Sequence, residues 1–264
     1  MRMDLATSSG SPERPNEDWV SAALPASGRG GSLVVLDGVT PPEGDYGCVH
    51  PVPWFTARLG GALVELSASR PDTPLAGILS AAIRRTADAH RNTCDLSHVR
   101  TPQTTVALVR WGGPADPVEH LVLADSTLLI ESPEGEVRAV VDDRVDRIPP
   151  ETRRSHAAVD ALRNAAGGFF TAAADPAVAA MAVTGSTPRA RVRSVAALTD
   201  GAARWVDLFG RGDWTQCLGV VRKEGARGLL GRVRELEESG APALTAAVRW
   251  KRHDDASVVL AELE

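Results

Sequence analysis

Leu33-Val34-Val35-Leu36-Asp37-Gly38 is an apolar run that stops at an aspartate followed by a glycine. An apolar run of this length, bounded by turn residues, is typical of a buried β-strand. The same pattern occurs at three other places, once in mirror image with the acids in front. Residues 121–124 stop at Asp125-Ser126, residues 195–199 stop at Asp200-Gly201, and Asp254-Asp255 precede residues 257–260. The chain therefore places carboxylates at the ends of several predicted strands.

Predicted strands are grouped with other strands, and predicted helices with other helices. Strands are predicted at residues 32–36, 104–110, 119–124, 127–131, 136–141, 192–199, 245–250 and 256–260, with a first strand starting at Trp19. Helices are predicted at residues 53–67, 74–92, 150–166, 201–209 and 225–238. This grouping favours an α+β architecture in which helices cover antiparallel sheets. Even composition and the lack of internal repeats predict a single domain over residues 1–264.

Turn residues add three local predictions. Turn chemistry near Ser126 and at residues 132–135 separates neighbouring strands, so residues 104–141 are predicted to form a meander. Residues 185–188, Gly-Ser-Thr-Pro, are predicted to form a short loop. Residues 142–146, Asp-Asp-Arg-Val-Asp, have the spacing of the acidic motif of terpene synthases, but they follow a strand in a mixed chain. We expect them to form a solvated turn.

Charge and cysteine content limit the partners and the compartment. The chain has 29 basic and 34 acidic residues and a net charge of -5, which argues against a broad nucleic-acid-binding face. No apolar run approaches the ~18 residues needed to span a bilayer, and no export signal is evident. Cys48, Cys94 and Cys217 are odd in number and widely spaced, which argues against a disulfide framework or a zinc ribbon, and the six histidines show no metal-ligand spacing. We expect a cytoplasmic monomer whose partners are proteins or small phosphorylated compounds.

Taken together, the acidic strand ends indicate a metal centre. An aspartate and a glycine at one strand end are common turn formers. If the strand ends share one edge of the sheets, however, four or five carboxylates meet with no lysine or arginine in the same motifs. A divalent cation relieves that repulsion, and an all-oxygen donor set favours magnesium or manganese over calcium. Two carboxylate-bridged metals typically activate water for phosphoester hydrolysis, which is the leading chemistry.

In their order along the chain, the motifs resemble those of the PP2C family of metal-dependent serine/threonine phosphatases. The resemblance covers nearly the whole chain; no single motif is specific, but their common order is. The motifs are Asn16-Glu17-Asp18, Asp37-Gly38, Thr104-Thr105-Val106-Ala107, Asp125-Ser126, Leu198-Thr199-Asp200-Gly201 and Asp254-Asp255-Ala256-Ser257-Val258-Val259. The resemblance implies a four-layer α-β-β-α sandwich and a magnesium- or manganese-dependent hydrolase that removes phosphate from phosphoserine or phosphothreonine in proteins.

The resemblance also implies roles for the acidic residues. Asp37 would bridge two metal ions, and Asp37 and Asp200 would be the main catalytic residues. Glu17 and the carbonyl of Gly38 would complete one metal site, and Asp200 and Asp254 the other. The nucleophile would be a water molecule activated by the metals.

Further residues take supporting roles by the same resemblance. Asp125 matches the acid that joins Asp200 around a third, weaker metal in bacterial relatives. Asp18 would lie behind the ligands, as would Asp255. Arg14 resembles the phosphate-binding arginine, with surface solvation as its alternative role.

Two departures from the family pattern leave the function open. Residues 39–42, Val-Thr-Pro-Pro, replace the usual glycine pair after Asp37-Gly38, and Asp255 stands where the family typically has asparagine. One alternative is therefore a catalytically weak or inactive regulatory module that binds a partner. A hydrolase of small phosphoesters is the other.

Overall fold

The computed structural model describes residues 1–27, 29–239 and 252–263. Within these ranges, ten strands form two antiparallel five-stranded sheets. Sheet 1 consists, in spatial order, of β1 (Arg2–Ser8), β10 (Ala256–Glu262), β9 (Ser194–Leu198), β6 (Thr127–Glu131) and β7 (Val137–Val140). Sheet 2 consists of β2 (Trp19–Ala23), β3 (Gly31–Leu36), β4 (Val106–Trp111), β5 (Pro117–Leu123) and β8 (Val183–Pro188).

The described residues form six α-helices, four of which cover the outer faces of the sheets. The six are α1 (Val52–Ser69), α2 (Leu75–His90), α3 (Pro150–Arg153), α4 (His156–Leu162), α5 (Asp200–Asp207) and α6 (Trp214–Glu238). Helices α1 and α2 pack on sheet 2, whereas α5 and α6 pack on sheet 1. In the described ranges, no helix combines the length and apolarity that a membrane span requires.

Strand β3 shows why the sequence contains uninterrupted apolar runs. Leu33 and Val35 belong to the core between the two sheets, whereas Val34 and Leu36 belong to the core under α1 and α2. Successive side chains of a strand point to opposite faces, and here both faces are buried, so every position has to be apolar. The predicted α+β fold, a four-layer α-β-β-α sandwich of two antiparallel sheets, is confirmed.

Most predicted elements form with small shifts at their ends. The predicted helix at residues 150–166 is instead the short helices α3 and α4. The predicted helix at residues 225–238 forms the second part of α6, after the non-helical Gly225. The first part, which starts at Trp214 behind a capping box of Asp213 and Gln216, is absent from the prediction. The predicted strand at residues 245–250 lies outside the described residues.

Two of the four edge strands, β1 and β8, are absent from the sequence prediction. Residues 185–188, predicted as a loop, belong to β8, which pairs with β5. This edge strand is mostly exposed and polar, so it lacks the apolar pattern of a buried strand. Gly185 pairs with His120, and a Cβ there would lie 2.7 Å from the imidazole ring.

The predicted meander over residues 104–141 is wrong, because the chain changes sheets at its middle. Strands β4 and β5 pair in sheet 2, whereas β6 and β7 pair in sheet 1. At the change, Ala124 has a positive φ of 64°, and its amide donates to Asp142 at 2.9 Å. Asp142 is buried and accepts two hydrogen bonds from Arg144. The predicted solvated turn is therefore wrong at Asp142, which anchors the turn that presents Asp125.

Candidate metal centre and active site

The strand registers bring the acidic strand ends together. In sheet 2, Trp19 at the start of β2 pairs with Leu36 at the end of β3. Asp18, just before β2, therefore lies beside Asp37, just after β3. Because the two strands are antiparallel, the start of one is next to the end of the other.

Sheet 1 repeats this arrangement with three strands. The end of β9 lies between the starts of β6 and β10. Asp125 precedes β6, Asp200 follows β9, and Asp254 precedes β10. All three carboxylates act electrostatically on Asp37. The strand ends of the two sheets thus meet at one acidic cluster.

Removal from water and mutual repulsion raise the pKa values of carboxyl groups in this cluster. Burial is the largest cause for Asp37, followed by the charges of Asp200, Asp18, Asp254 and Asp125, and together they raise its pKa well above the usual range. Burial, followed by the charge of Asp200, raises the pKa of Asp125 to about 7. Such a cluster is stable only with protons or cations bound to it.

Asp18 provides a separate test of whether a cation fits. Burial raises its pKa well above the usual range, although hydrogen bonds from Ser257 and Thr199 oppose that rise. The Thr199 hydroxyl donates to Oδ2 at 3.0 Å. Oδ1 is buried and has no hydrogen-bond partner among the described residues. An unsatisfied buried carboxylate oxygen is costly, and a divalent cation with its water ligands supplies the missing partner.

Gly38 packs closely against the backbone of Glu17. A Cβ on Gly38 would lie 2.5 Å from the Glu17 carbonyl oxygen, so only glycine fits this position. Thr40 donates a hydrogen bond from its hydroxyl to the Glu17 carboxylate. The segment that departs from the family pattern therefore folds onto a predicted ligand.

Hydroxyl groups hold the backbone of Asp37. The Thr104 hydroxyl donates to the Asp37 carbonyl at 2.8 Å, and the Asp37 amide donates to the Thr105 hydroxyl at 3.1 Å. Thr105 also shares a hydrogen bond of 2.6 Å with the Ser126 hydroxyl, next to Asp125. Thr105 and Ser126 lie inside motifs that the sequence analysis quotes, but their role as a link between two acidic strand ends depends on the packing of the sheets.

Asp255 joins the N-terminal loop to the acidic cluster. Its Oδ1 accepts a hydrogen bond from the Gly10 amide at 2.8 Å, and its Oδ2 accepts one from the Glu17 amide at 2.7 Å. Both carboxylate oxygens are therefore used, which explains why aspartate serves here in place of asparagine. An asparagine side chain offers only one acceptor oxygen.

The acidic motifs themselves contain no lysine or arginine, but folding brings a basic group to one of them. Arg204, in α5, is completely buried and donates to Asp254 Oδ2 at 3.0 Å and to Glu237 at 2.6 Å. In the sequence, the position of Arg204 four residues after Asp200 does not by itself predict a contact with Asp254. Arg204 contacts Asp254 because α5 packs against the start of β10.

A cleft of about 490 Å³ opens beside Asp125 and is lined by Thr40, His156, Arg163 and other residues. Burial lowers the pKa of Arg163, while the charges of Asp160 and Asp125 oppose that effect. The cleft thus contains a guanidinium group, that of Arg163, near the predicted metal ligand Asp125. The sequence gives no local signal for this role of Arg163. Arg14 is exposed in the loop before Glu17, and its role in phosphate binding stays a prediction.

The expectations about cysteines and histidines are wrong for four residues. Cys48 and Cys94 lie with their sulfur atoms at bonding distance. His50 and His90 complete a cluster with them in which all four potential ligand atoms lie within 4.8 Å of one another. The sequence separates this group into two short pairs 42 residues apart, so its spacing gives no warning of the cluster.

Similar proteins are found only by comparison with solved structures. No protein-family model matches the chain, and no curated protein does. Among solved structures, the Mycobacterium tuberculosis serine/threonine phosphatase PstP/Ppp is similar, with a TM-score of 0.59, 19% identity, and coverage of 100% of this chain and 98% of that one. A structure of the catalytic domain of PstP in complex with two manganese ions has a TM-score of 0.57, 18% identity, and coverage of 99% and 97%.

A third similar structure is a sex-determining protein of C. elegans, with a TM-score of 0.60 and 16% identity. All of this chain aligns, but it spans only 65% of that protein. Identities this low show a shared fold and leave activity to be argued from the site. The chain has the fold of the PP2C family of metal-dependent serine/threonine phosphatases.

Proposed function

We propose that this protein is a magnesium- or manganese-dependent phosphatase that hydrolyses phosphoserine and phosphothreonine in proteins. One observation carries the proposal. Carboxylates from five separate segments converge at one edge of the two sheets, and Asp18 has a buried oxygen without a partner there. The PstP structure that contains two manganese ions supports the choice of metal.

The acidic residues divide into two metal sites in this proposal. Asp37 would contribute to both sites, with Glu17 and the Gly38 carbonyl on one side and Asp200 and Asp254 on the other. Divalent cations bound there would stabilise the phosphoryl oxygens and lower the pKa of water. Thr104 and Thr105 keep Asp37 in place through its backbone, so the bridging carboxylate is positioned before substrate binds.

Other residues serve the substrate and the outer part of the site. Asp125, with a pKa of about 7, joins Asp200 around a third and weaker cation. Asp18 and Asp255 hold the ligand segments rather than the metals directly. Arg14 binds the phosphate from the exposed loop before Glu17.

The cleft beside Asp125 supports a protein substrate. It extends from residues 39–42 to α4 and includes Arg163, so it offers both apolar surface and a positive charge next to the acidic cluster. A phosphorylated side chain would reach the metals while the peptide lies along the cleft. A small phosphoester would use only the acidic end of this surface.

The decisive experiment is Asp37→Asn. This substitution should reduce manganese-dependent hydrolysis of p-nitrophenyl phosphate by at least about 100-fold, because the bridging charge supplies several kcal/mol of transition-state stabilisation. Asp143→Asn is the matched control, because Asp143 is exposed and paired with Arg147. Equal turnover in Asp37→Asn and wild type would refute the assignment. Comparing phosphopeptides with phosphorylated metabolites would then distinguish a protein phosphatase from a small-molecule phosphoesterase.

Two contacts favour a second candidate, a catalytically weak regulatory module. Arg204 places a buried positive charge 3.0 Å from Asp254, and Thr40 binds Glu17. Both contacts compete with a metal for a predicted ligand. Under this candidate, the protein shows no metal-stimulated turnover of several phosphopeptides but binds a protein partner tightly. Arg204→Met removes the competing charge, so it should then increase the affinity of the protein for manganese.

A further inference from the structure

A cluster of two cysteines and two histidines lies outside the acidic site. Cys48 and His50 belong to the segment between β3 and α1, and His90 and Cys94 lie at and just after the end of α2. The four potential ligand atoms lie within 4.8 Å of one another. His90 is 2% exposed, and the other three residues are partly buried.

The distances between sulfur and nitrogen match those around a tetrahedral zinc ion. Cys48 Sγ lies 3.4 Å from His90 Nδ1 and 3.7 Å from His50 Nδ1, and His50 Nδ1 lies 3.4 Å from Cys94 Sγ. With Zn–S bonds of about 2.3 Å and Zn–N bonds of about 2.05 Å, a tetrahedron places S and N about 3.6 Å apart. These three distances thus agree with one small central ion.

The surroundings of the cluster suit a closed structural site. The His50 ring stacks on Trp54 with ring centroids 4.0 Å apart, and Trp54 and Phe55 lie near the ring of His90. Aromatic rings fix the orientation of the imidazoles and limit the access of water. A disulfide between Cys48 and Cys94 gives no reason for two imidazole nitrogens to face the same sulfur atoms.

We propose that Cys48, His50, His90 and Cys94 bind one zinc ion through two thiolates and two imidazole Nδ1 atoms. In the reduced chain, binding breaks two S–H bonds, forms two Zn–S and two Zn–N bonds in place of the ion's water ligands, and releases two protons to the solvent, with no oxidation or reduction. The two sulfur atoms move apart as the ion enters between them. The thiolates balance the charge of the ion, and the ligand set of two cysteines and two histidines is typical of structural zinc.

The site fastens two segments that both lead to the acidic cluster. One segment begins at Asp37 and ends at α1, and the other leads from α2 to Thr105, which binds the Asp37 backbone. The Asp95 amide also donates to the Gly47 carbonyl at 2.6 Å, so the two segments already touch beside the cluster. Zinc therefore stabilises the folded chain where it supports the candidate active site.

The experiment uses the full-length protein, kept reduced by a phosphine, and measures bound zinc by elemental analysis and cobalt binding by absorption. We expect one zinc per chain that resists dialysis. In the cobalt form, we expect the intense visible bands of a tetrahedral site and a thiolate-to-cobalt charge-transfer band, which the oxygen-only acidic cluster cannot produce. Zinc should also raise the unfolding temperature, because the unfolded chain lacks the preformed site.

His50→Ala separates a zinc site from a disulfide. Removing even an outer hydrogen-bond partner of a metal ligand weakens metal binding by about 10–100-fold, so loss of the ligand itself should weaken zinc binding by at least that factor. A disulfide would be unaffected by this substitution. Cys217→Ala is the matched control, because burial raises the pKa of that thiol to about 12 and it lies in the core under α6. Reduced protein that binds no zinc and shows no charge-transfer band would overturn the proposal and leave only a disulfide. Unchanged zinc affinity in His50→Ala would overturn it as well.

Discussion

At the scale of single residues, Asp255 shows how a partly buried carboxylate can hold the chain together. Its two oxygens accept hydrogen bonds from Gly10 and Glu17, which are separated from it by 245 and 238 residues. It thereby fixes the loop that carries a predicted metal ligand to the start of β10. Hydrogen bonds to a charged acceptor are worth about 1.5–3 kcal/mol each.

Asp255→Asn should lower the free energy of unfolding by about 1–3 kcal/mol in urea denaturation without metal. The amide of either Gly10 or Glu17 loses its acceptor and faces the N–H group of the asparagine side chain instead. The repulsion between Asp255 and Asp18 opposes this loss only weakly, because Asp18 keeps its proton to well above the usual pH.

Asp175→Asn is the control for Asp255→Asn. Asp175 accepts one hydrogen bond, from the Ala177 amide at 2.9 Å, through a single oxygen that asparagine retains. Its effect should stay within about 0.5 kcal/mol. If both variants had the same stability, the two-oxygen role of Asp255 would be wrong.

At the scale of elements, α6 is interrupted where it meets β1. Gly225 has φ 81° and ψ 169°, a conformation that is essentially restricted to glycine. Directly after it, the Ala226 amide donates to Asp4 Oδ2 at 3.0 Å. Asp4 thus caps the second part of the helix, and the break allows both parts to lie on sheet 1.

Two glycine substitutions in α6 should therefore have opposite signs. Gly225→Ala should destabilise the protein by about 1–3 kcal/mol, because a Cβ is strained at this φ and would lie 3.0 Å from Asp4. Gly219→Ala should stabilise it by about 0.5–1 kcal/mol, because Gly219 is helical with open space around its Cα. Thermal and urea unfolding would measure both. A stabilised Gly225→Ala variant would contradict the proposed break.

At the scale of the whole molecule, the sandwich concentrates negative charge where its two sheets meet. Asp18, Asp37 and Asp125 all have raised pKa values in the folded state. A folded carboxyl group with a raised pKa binds more protons than the same group in the unfolded chain. Its contribution to stability is complete below the unfolded pKa and is lost as the pH rises through the folded pKa. Without metal, the fold therefore loses part of its stability towards neutral pH.

Asp125→Asn tests whether the acidic cluster lowers the free energy of unfolding as the pH rises without metal. In the presence of a chelator, the variant should become more stable relative to wild type between about pH 4 and pH 7, by up to about 1.4 kcal/mol per pH unit. Burial lowers the pKa of His120 to about 4, which gives the opposite slope, but this contribution cancels between the two proteins.

Saturating manganese should reverse the stability order of Asp125→Asn and wild type, because the cation favours the ionised carboxylate. Asp143→Asn should show no comparable pH dependence, since Asp143 lies on the exposed surface. Chemical denaturation at a series of pH values measures all three proteins. A wild type that gains stability over Asp125→Asn as the pH rises under chelation would contradict the acidic cluster.

Local patterns were sufficient to predict the fold class and the aspartates that meet in the acidic cluster. The run from Leu33 to Leu36 had to be apolar at every position because layers cover both faces of sheet 2, and such runs are visible in the sequence. The acids at the strand ends are also visible in the sequence, and they indicated a hard metal because they offer only oxygen ligands. Each of these signals lies within a few neighbouring residues.

Contacts between distant segments depended on strand register and layer packing, which leave no local trace. Examples are the change of sheet at Ala124, the approach of Arg204 to Asp254, and the hydrogen bonds that Asp255 accepts from the N-terminal loop. Another is the cluster around Cys48, whose members come from two segments that are separate in sequence. Each partner is ordinary alone, and its role appears only when folding brings the other within about 4 Å, where electrostatic and hydrogen-bond energies become large.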